Sequence, residues 1–291
     1  MSARTMSATS EVTGDRLVFL HGFTQTHHHW HAGAERVVSR LDDATGRRPD
    51  VVLPDLPGHG LSAGDSSGID DAAAQLASTV GRGTYIGYSM GGRVALHVAL
   101  SDARPVGRLV LIGATAGLRD ARDRTDRRRV DEERACRIEE IGVEAFLDEW
   151  LAAPLFATLP PDPAGLDRRR RNTAAGLAHS LRTAGTGTQR SLWDELPSLD
   201  IPVLLIAGEL DTKFTAIAHE MAAILPHAQV AIIDGAGHAA HSERPDQVAG
   251  TIAAWLEMPP TDDAYVVNTQ AADPACIIAA LVEADQPETT G

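Results

Sequence analysis

The chain has 291 residues, of which 43% are hydrophobic, and a formal net charge of -14 at pH 7. That length and composition allow a large buried core and predict one main α/β domain with an insertion. The negative charge repels phosphate groups, so we expect no nucleic acid and no anionic membrane as a partner. An anionic small molecule would need a locally basic pocket.

The first residues of the chain and its two cysteines indicate the cellular compartment of the protein. Residues 1–14 are small and polar and lack the apolar core of a signal peptide. Cys136 and Cys276 have neither metal-ligand nor redox spacing. No apolar stretch approaches the length needed to cross a membrane. We therefore expect a cytoplasmic protein whose residues 1–14 are a flexible N-terminus, and the composition leaves a homo-oligomer open.

Six short apolar runs predict the strands of one sheet. They are LVFLHG (17–22), VVLPDLPG (51–58), TYIGYS (84–89), RLVLIG (108–113), VLLIAG (203–208) and QVAIIDGAGH (229–238). Because the runs are continuously apolar, the strands should be parallel and covered on both faces. Segments with helical spacing lie between several of them. This alternation predicts a doubly wound α/β fold with catalytic groups at the carboxyl ends of the strands.

The alternation is interrupted after the fourth predicted strand. Residues 119–195 show no convincing strand and carry apolar residues at helical spacing, as in RIEEIGVEAFLDEWL. This predicts a helical cap over 119–195, inserted into a core formed by 15–118 and 196–258. Residues 259–291 are acidic and contain Pro, Thr and Asp, which predicts a flexible tail, with a short helix at IIAALVEA as the alternative.

The stretch YIGYSMGGR places Ser89 between Gly87 and Gly91 at the end of the third predicted strand. This G-x-S-x-G spacing is typical of a nucleophile elbow, a sharp turn that exposes a serine between a strand and a helix. A serine hydroxyl is a weak nucleophile or base at neutral pH. It needs a histidine to take its proton and a carboxylate to orient that histidine.

Two later strand ends supply those partners. Asp211 follows the fifth predicted strand and His238 follows the sixth, which gives the chain order serine, acid, histidine. Either residue alone has an ordinary interpretation as a turn or capping residue. Because Ser89, Asp211 and His238 occur together in the required order, we predict that they form a catalytic triad, with Glu209 as the alternative acid.

The first predicted strand ends in His21-Gly22, where a fold of this kind supplies a backbone donor to an oxyanion hole. The backbone amides of Phe23 and Met90 are therefore the predicted donors. Such donors stabilise negative charge on an oxygen during a reaction.

Five residues in a row, HHHWH (27–31), follow the same strand. Histidine tracts bind metal ions adventitiously. The position of this run after the HG loop instead predicts the start of a helix, so we expect no functional metal site. Nothing in the sequence requires a cofactor.

Several motifs resemble known families. Four are similar to motifs of the α/β-hydrolase superfamily, which indicate a fold and not a reaction: HGF (21–23), LPDLPGHGLS (53–62), GYSMGGR (87–93) and GAGHAAHSERP (235–245). Three more resemble the 2-succinyl-6-hydroxy-2,4-cyclohexadiene-1-carboxylate synthases, lyases of menaquinone biosynthesis: PLF (154–156), RRRRNTAAGLAHSLRTAGTGTQRSLWDEL (168–196) and GELDTKF (208–214). The resemblance covers about residues 16–257.

The resemblance implies a cofactor-free elimination. A 5-enolpyruvyl-6-hydroxy-cyclohexene carboxylate with a succinyl arm loses pyruvate to give the cyclohexadiene product. Ser89 would then act as a base toward a ring proton, with help from His238 and Asp211, and the donors at Phe23 and Met90 would stabilise the resulting dienolate.

The resemblance also implies how a small anionic polycarboxylate is bound. Guanidinium groups suit carboxylates, and Arg93, Arg127 and Arg169 match the family's substrate-binding arginines, while Tyr88 and Trp150 match pocket positions. Only one of the 26 Lys and Arg residues is a lysine. The alternative is therefore that the arginine runs reflect composition and form a solvated surface.

Two other functions are consistent with these residues. A cofactor-free serine hydrolase of esters, thioesters or carbon-carbon bonds would share the triad and differ in its cap and pocket. A non-enzymatic binding protein on the same scaffold is disfavoured because the triad is complete.

Overall fold

The computed structural model describes residues 16–46, 48–258 and 265–268. The strands are β1 (Arg16–Leu20), β2 (Asp50–Val52), β3 (Gly83–Tyr88), β4 (Val106–Ile112), β5 (Val203–Gly208), β6 (Ala228–Ile233) and β7 (Tyr265–Asn268). They form one parallel sheet in the order β2-β1-β3-β4-β5-β6-β7.

Helices connect the strands and cover the sheet. They are α1 (His31–Thr45), α2 (Ile69–Thr79), α3 (Met90–Ala99), α4 (Ala121–Leu151), α5 (Pro163–Arg169), α6 (Ala174–Ala184), α7 (Thr212–Ala222), α8 (Ala240–Glu243) and α9 (Pro245–Glu257). Short 3-10 turns lie at His27–His29, Gly60–Ser62, Pro154–Phe156 and Leu196–Ser198.

Both faces of the sheet are buried, each in its own apolar cluster. Successive residues of a strand point to opposite faces, so Val18 of β1 packs with α2, α3 and α7, whereas Phe19 packs with α1 and α9. The same alternation holds for Tyr85 and Ile86 of β3. This explains why the strands read as continuous apolar runs, and the predicted α/β class with a mostly parallel, doubly wound sheet is confirmed.

The segment between β4 and β5 is helical wherever it is regular. It contains α4, α5 and α6, and α4 and α6 pack against each other around a small apolar cluster that includes Ile138, Phe146 and Leu177. Gly142 interrupts α4 with φ 78°, so the helix changes direction there. We refer to residues 119–195 as the cap.

The strands differ most from the sequence prediction in three places. β2 stops at Val52 because Pro54, which lacks an N–H, cannot continue the ladder. β6 stops at Ile233, and Gly235 turns the chain with φ 61°. Tyr265–Asn268, predicted as part of a flexible tail, instead pairs with β6 as β7. The other residues of that tail and of the predicted flexible N-terminus lie outside the described residues.

Among the described residues, no helix has both the length and the apolar composition that crossing a bilayer requires.

Candidate active site

The elbow between β3 and α3 holds Ser89 in a strained conformation. Its φ is 50° and ψ is -106°, in a region that residues with a side chain rarely adopt. A Cβ on Gly87 would lie 2.5 Å from the carbonyl carbon of Gly91, and one on Gly91 would collide with the carbonyl of Leu20. Both glycines are therefore required by close backbone contacts, and the turn presents the serine hydroxyl at the carboxyl edge of the sheet.

The structure brings Ser89, Asp211 and His238 together. The Nε2 atom of His238 lies 3.2 Å from Oγ of Ser89, and its Nδ1 atom lies 2.7 Å from Oδ2 of Asp211. The side chains of His238 and Asp211 are almost fully buried. Because the carboxylate accepts a hydrogen bond from Nδ1–H, which keeps its proton, Nε2 is left with its lone pair toward the hydroxyl. This arrangement can accept the serine proton.

The two candidate acids have different contacts. Asp211 is the N-cap residue of α7, and its second oxygen accepts a hydrogen bond from the backbone amide of Phe214 at 3.2 Å. Glu209 is exposed and accepts from the backbone amide of Gly235 at 2.8 Å. The imidazole of His238 is therefore oriented by Asp211, while Glu209 holds the turn before it.

Glu243 of α8 holds the backbone on both sides of His238, a role that the sequence analysis missed. Its two carboxylate oxygens accept from the amides of Gly237 at 2.7 Å and of Ala239 at 3.1 Å. The side chain is buried. The motif HSERP contains this glutamate, but only the folded loop shows which amides it meets.

The two predicted oxyanion donors lie at the same cavity as Ser89. Met90 is the first residue of α3, so its N–H has no acceptor within its own helix. Phe23 lies in the loop after β1, where the flanking amides are fixed. The amide of Gly22 donates to Oε1 of Gln25 at 3.0 Å, and that of Thr24 donates to Nε2 of His59 at 3.2 Å.

Two buried histidines support this loop in their neutral form. His21 donates from Nδ1 to the carbonyl of Gly22 at 2.9 Å and accepts at Nε2 from the amide of Leu56 at 3.0 Å. His59 donates from Nδ1 to the carbonyl of Pro57 at 3.0 Å. Burial lowers the pKa of His21 to about 4 and that of His59 to about 3. Each ring therefore uses one nitrogen as a donor and the other as an acceptor.

The cavity beside Ser89 lies between the core and the cap. All the site residues predicted from the sequence line it except Asp211, which lies behind His238: Phe23, Tyr88, Ser89, Met90, Arg93, Arg127, Trp150, Arg169 and His238. Trp150 packs edge-on against Phe23, with ring centroids 5.4 Å apart. Tyr88 packs beside His238 at 5.5 Å. The cavity is thus aromatic at one side of the hydroxyl.

Arg93 of α3 is buried and reaches the cap. Its Nη1 donates to the carbonyl of Ala184 at 2.7 Å and to Oε1 of Gln189 at 3.4 Å. Burial, with a further contribution from the charge of Arg127, lowers the pKa of Arg93 to about 10. The guanidinium nevertheless stays protonated at pH 7.

Arg169 and Arg127 approach the cavity from the cap. Arg169 is buried and donates from Nη1 to the hydroxyl of Thr24 and to the carbonyl of Phe23. Burial lowers its pKa to about 10, which again leaves it charged at pH 7. Arg127 is partly exposed, and its Nε donates to Oδ1 of Asp131 at 2.8 Å.

The three arginines therefore differ in whether a carboxylate forms an ion pair with them. Asp131 pairs with Arg127, whereas neither Arg93 nor Arg169 forms an ion pair with any described carboxylate. Asp131 acts on Arg93, and Asp162 on Arg169, only from beyond ion-pair distance. A buried charge without a close partner is costly unless a ligand pairs with it. The cavity consequently presents two cations suited to carboxylates.

Asn172, another residue that the sequence analysis did not single out, ties the cap to two core loops. Its Nδ2 donates to the carbonyl of Thr24 at 2.7 Å, and its Oδ1 accepts from the amide of Gly60 at 2.9 Å. The side chain is buried. It follows the RRRR run, which drew attention to charge rather than to the amide.

The sequence and the fold of this chain match those of known proteins. The sequence model of the alpha/beta hydrolase family matches residues 17–251. The chain is 36% identical over 247 residues to the putative 2-succinyl-6-hydroxy-2,4-cyclohexadiene-1-carboxylate synthase of Bacillus subtilis, covering 79% of this chain and 86% of that protein.

Two further relatives agree. The synthase of that name from Escherichia coli O1:K1 is 34% identical over 250 residues, covering 82% of this chain and 93% of the relative. The solved structure of MenH from S. aureus has a TM-score of 0.76 at 31% identity and covers 85% of this chain and 95% of that one. These matches confirm the resemblance to the synthases, and the chain belongs to the alpha/beta hydrolase family.

Proposed function

We propose that the protein is a lyase that eliminates pyruvate from 2-succinyl-5-enolpyruvyl-6-hydroxy-3-cyclohexene-1-carboxylate, giving 2-succinyl-6-hydroxy-2,4-cyclohexadiene-1-carboxylate. The observation that carries this proposal is the pair of buried, unpaired guanidinium groups of Arg93 and Arg169 at the cavity of Ser89. A base beside two cations suits proton removal from a polycarboxylate. The relatives that are named as synthases of this product support the same reaction.

In this mechanism Ser89 is the base. His238 takes the hydroxyl proton at Nε2, with Asp211 stabilising the imidazolium that forms. The alkoxide removes the proton from the ring carbon that carries the succinyl ketone. The electron pair of that C–H bond forms an enolate with the ketone oxygen, and this enolate is conjugated with the ring double bond, so it is a dienolate. The hydroxyl of Ser89 is then restored by that proton.

Collapse of the dienolate completes the reaction. The electron pair returns from the oxygen and forms a double bond from the succinyl-bearing ring carbon to its neighbour. The original ring double bond shifts by one position toward the carbon that carries the enolpyruvyl group, and the C–O bond to that group breaks. The leaving enolate of pyruvate takes a proton, for which His238 is the available donor, and pyruvate is released. No water is consumed and no cofactor takes part.

The proposed oxyanion donors act on the dienolate. Amides of Phe23 and Met90 would hold the ketone oxygen as negative charge develops on it. Losing one such donor typically costs about 3 kcal/mol in transition-state stabilisation. Arg93 and Arg169 would bind the carboxylates, and Arg127, already paired with Asp131, would contribute less. Tyr88 and Trp150 would pack against the ring.

A serine hydrolase is the competing function, because the same triad geometry also serves acyl transfer. The test is to supply the enolpyruvyl substrate and measure pyruvate release, with p-nitrophenyl esters assayed in parallel. We expect pyruvate release that is lost in Ser89→Ala, and little ester hydrolysis. Efficient ester hydrolysis without pyruvate release would replace the lyase by the hydrolase.

A further inference from the structure

Three imidazoles of the HHHWH run converge on the protein surface, away from the cavity. The 3-10 turn His27–His29 leads into α1, which begins at His31. Positions four apart on a helical turn lie on one face, so His31 returns to the side of His27. One ring nitrogen each of His27, His28 and His31 lie within 4.8 Å of one another.

We infer that His27, His28 and His31 bind one divalent transition-metal ion of the Zn²⁺ type. Imidazole nitrogen is a preferred ligand of these ions. Zn²⁺ lies about 2.1 Å from such a nitrogen, so two ligands of a tetrahedral ion are about 3.4 Å apart. Small side-chain rotations close the present separations to that distance. Three protein ligands leave the fourth position to water.

A buried carboxylate orients the first of these ligands, which is independent support for the site. Oδ2 of Asp55 lies 2.7 Å from Nδ1 of His27, and the side chain of Asp55 is 1% exposed. Asp55 also accepts from the backbone amides of His27 and Leu61 at 2.7 and 2.8 Å. It therefore acts as an acceptor, Nδ1 carries the proton, and Nε2 is left with its lone pair. A carboxylate behind a ligating histidine is the usual second layer of a zinc site.

The other two ligands are accessible. His28 is half-buried and His31 is exposed, and within the described residues neither side chain forms a hydrogen bond. His29 of the same run has a different role, because Nδ1 accepts from the amide of Thr26 at 3.0 Å and Nε2 faces the carbonyl of Gly165 at 3.2 Å. Only three of the four histidines therefore form the cluster.

The positive charges of Arg168 and Arg171 act on His28 and oppose any cation there, so coordination by imidazole nitrogen has to carry the binding. Arg168 of α5 donates from Nη1 to the carbonyl of His28 at 3.2 Å. Its positive charge opposes an ion held by electrostatic attraction alone, such as Ca²⁺, which prefers oxygen ligands. A metal bound through imidazole nitrogen tolerates that charge better.

The test titrates ZnCl₂ into the full chain without a histidine tag, using calorimetry and thermal melting. We expect one Zn²⁺ per chain and a rise in Tm of about 5 °C at saturation. His28→Ala and His31→Ala should each weaken binding about tenfold or more, because each removes one ligand. Both side chains are outside the core, so the variants should fold.

The matched control is His219→Ala, which removes an exposed histidine elsewhere on the chain. It should bind Zn²⁺ as the wild type does. Absence of saturable binding in the wild type, or equal binding by the wild type, His28→Ala and His31→Ala, would overturn the inference. The readout is independent of the reaction at Ser89.

Discussion

The contacts of Glu243 lead to a quantitative prediction for Glu243→Gln. The wild-type carboxylate accepts from both backbone amides that flank His238, at 2.7 and 3.1 Å. Glutamine keeps one acceptor oxygen and turns an NH₂ group toward the other amide. Losing a buried hydrogen bond to a charged group costs about 2 kcal/mol, which corresponds to a Tm lower by about 5 °C.

The effect on catalysis follows from the distance between His238 and Ser89. At 3.2 Å, Nε2 and Oγ are already at the long end of the range for proton transfer. A shift of the His238 loop therefore breaks this contact. We expect kcat for pyruvate release to fall about 100-fold. KM should change little, because Glu243 is outside the described lining of the cavity.

Glu209→Gln is the matched control. Glu209 accepts a single bond from Gly235 on the same loop and is exposed, so its kcat and Tm should stay near those of the wild type. The measurements are steady-state pyruvate release and a thermal melt of each variant. A Glu243→Gln protein with lowered Tm but wild-type kcat would show that Glu243 stabilises the loop without positioning His238.

Three further predictions concern the triad, the arginines and the buried histidines. Asp211→Asn should lower kcat about 10⁴-fold, since an amide NH₂ cannot accept from Nδ1 of His238 and favours the tautomer with the proton on Nε2. Arg93→Ala should lower kcat/KM for pyruvate release about 100-fold, because one charge-assisted contact to a carboxylate is lost. Tm should be constant between pH 7 and 8.5 and should fall steadily below pH 6.5, as measured by thermal melting, because His21 and His59 are buried in the neutral form.

The direction of the pH effect follows from the lowered pKa values. In the unfolded chain both rings take up a proton below about pH 6.5, whereas in the folded chain His21 does so only near pH 4 and His59 near pH 3. The unfolded state therefore binds more protons in that interval. Stability falls by about 1.4 kcal/mol per pH unit for each ring. A constant Tm between pH 6.5 and 4.5 would contradict this.

The two substitutions have their own controls. Arg190→Ala removes an exposed arginine and should leave kcat/KM unchanged. Wild-type kinetics in Arg93→Ala would remove that residue from the substrate site. For Asp211→Asn, a melt should show a folded protein, and kcat within tenfold of the wild type would contradict the role given to the carboxylate.

Much of the fold was predictable because the burial of a strand on both faces can be read from its own residues. Strands buried on both faces must be apolar throughout, so β1 and β3 to β6 were visible as continuous runs. The carboxyl ends of parallel strands meet at one edge, which let chain order alone predict that Ser89, Asp211 and His238 converge. β7 was missed because it is short and lies in an acidic segment, so composition favoured a tail.

The pairing of side chains was less predictable. Nothing in the sequence distinguishes Arg127, which pairs with Asp131 one turn along α4, from Arg169, which meets Thr24 in a distant loop. The contacts of Glu243 depend on how its loop folds back. The histidine run predicted a helix start and no functional metal site, and the inferred Zn²⁺ site reverses the second expectation. The sequence does not show that His27, His28 and His31 converge, or that Asp55, 28 residues from His27, orients that ring.

Because Asn172 links the cap to two loops of the core, replacing the cap by that of another family member affects those loops as well. This cap residue holds the carbonyl of Thr24, next to Phe23, and the amide of Gly60. A chimera that received another family member's cap without a matching amide would leave the carbonyl of Thr24 and the amide of Gly60 without this hydrogen-bond partner. A chimera designed to change substrate specificity within this family should therefore fold better when the donor cap is transferred together with the donor's own two core loops.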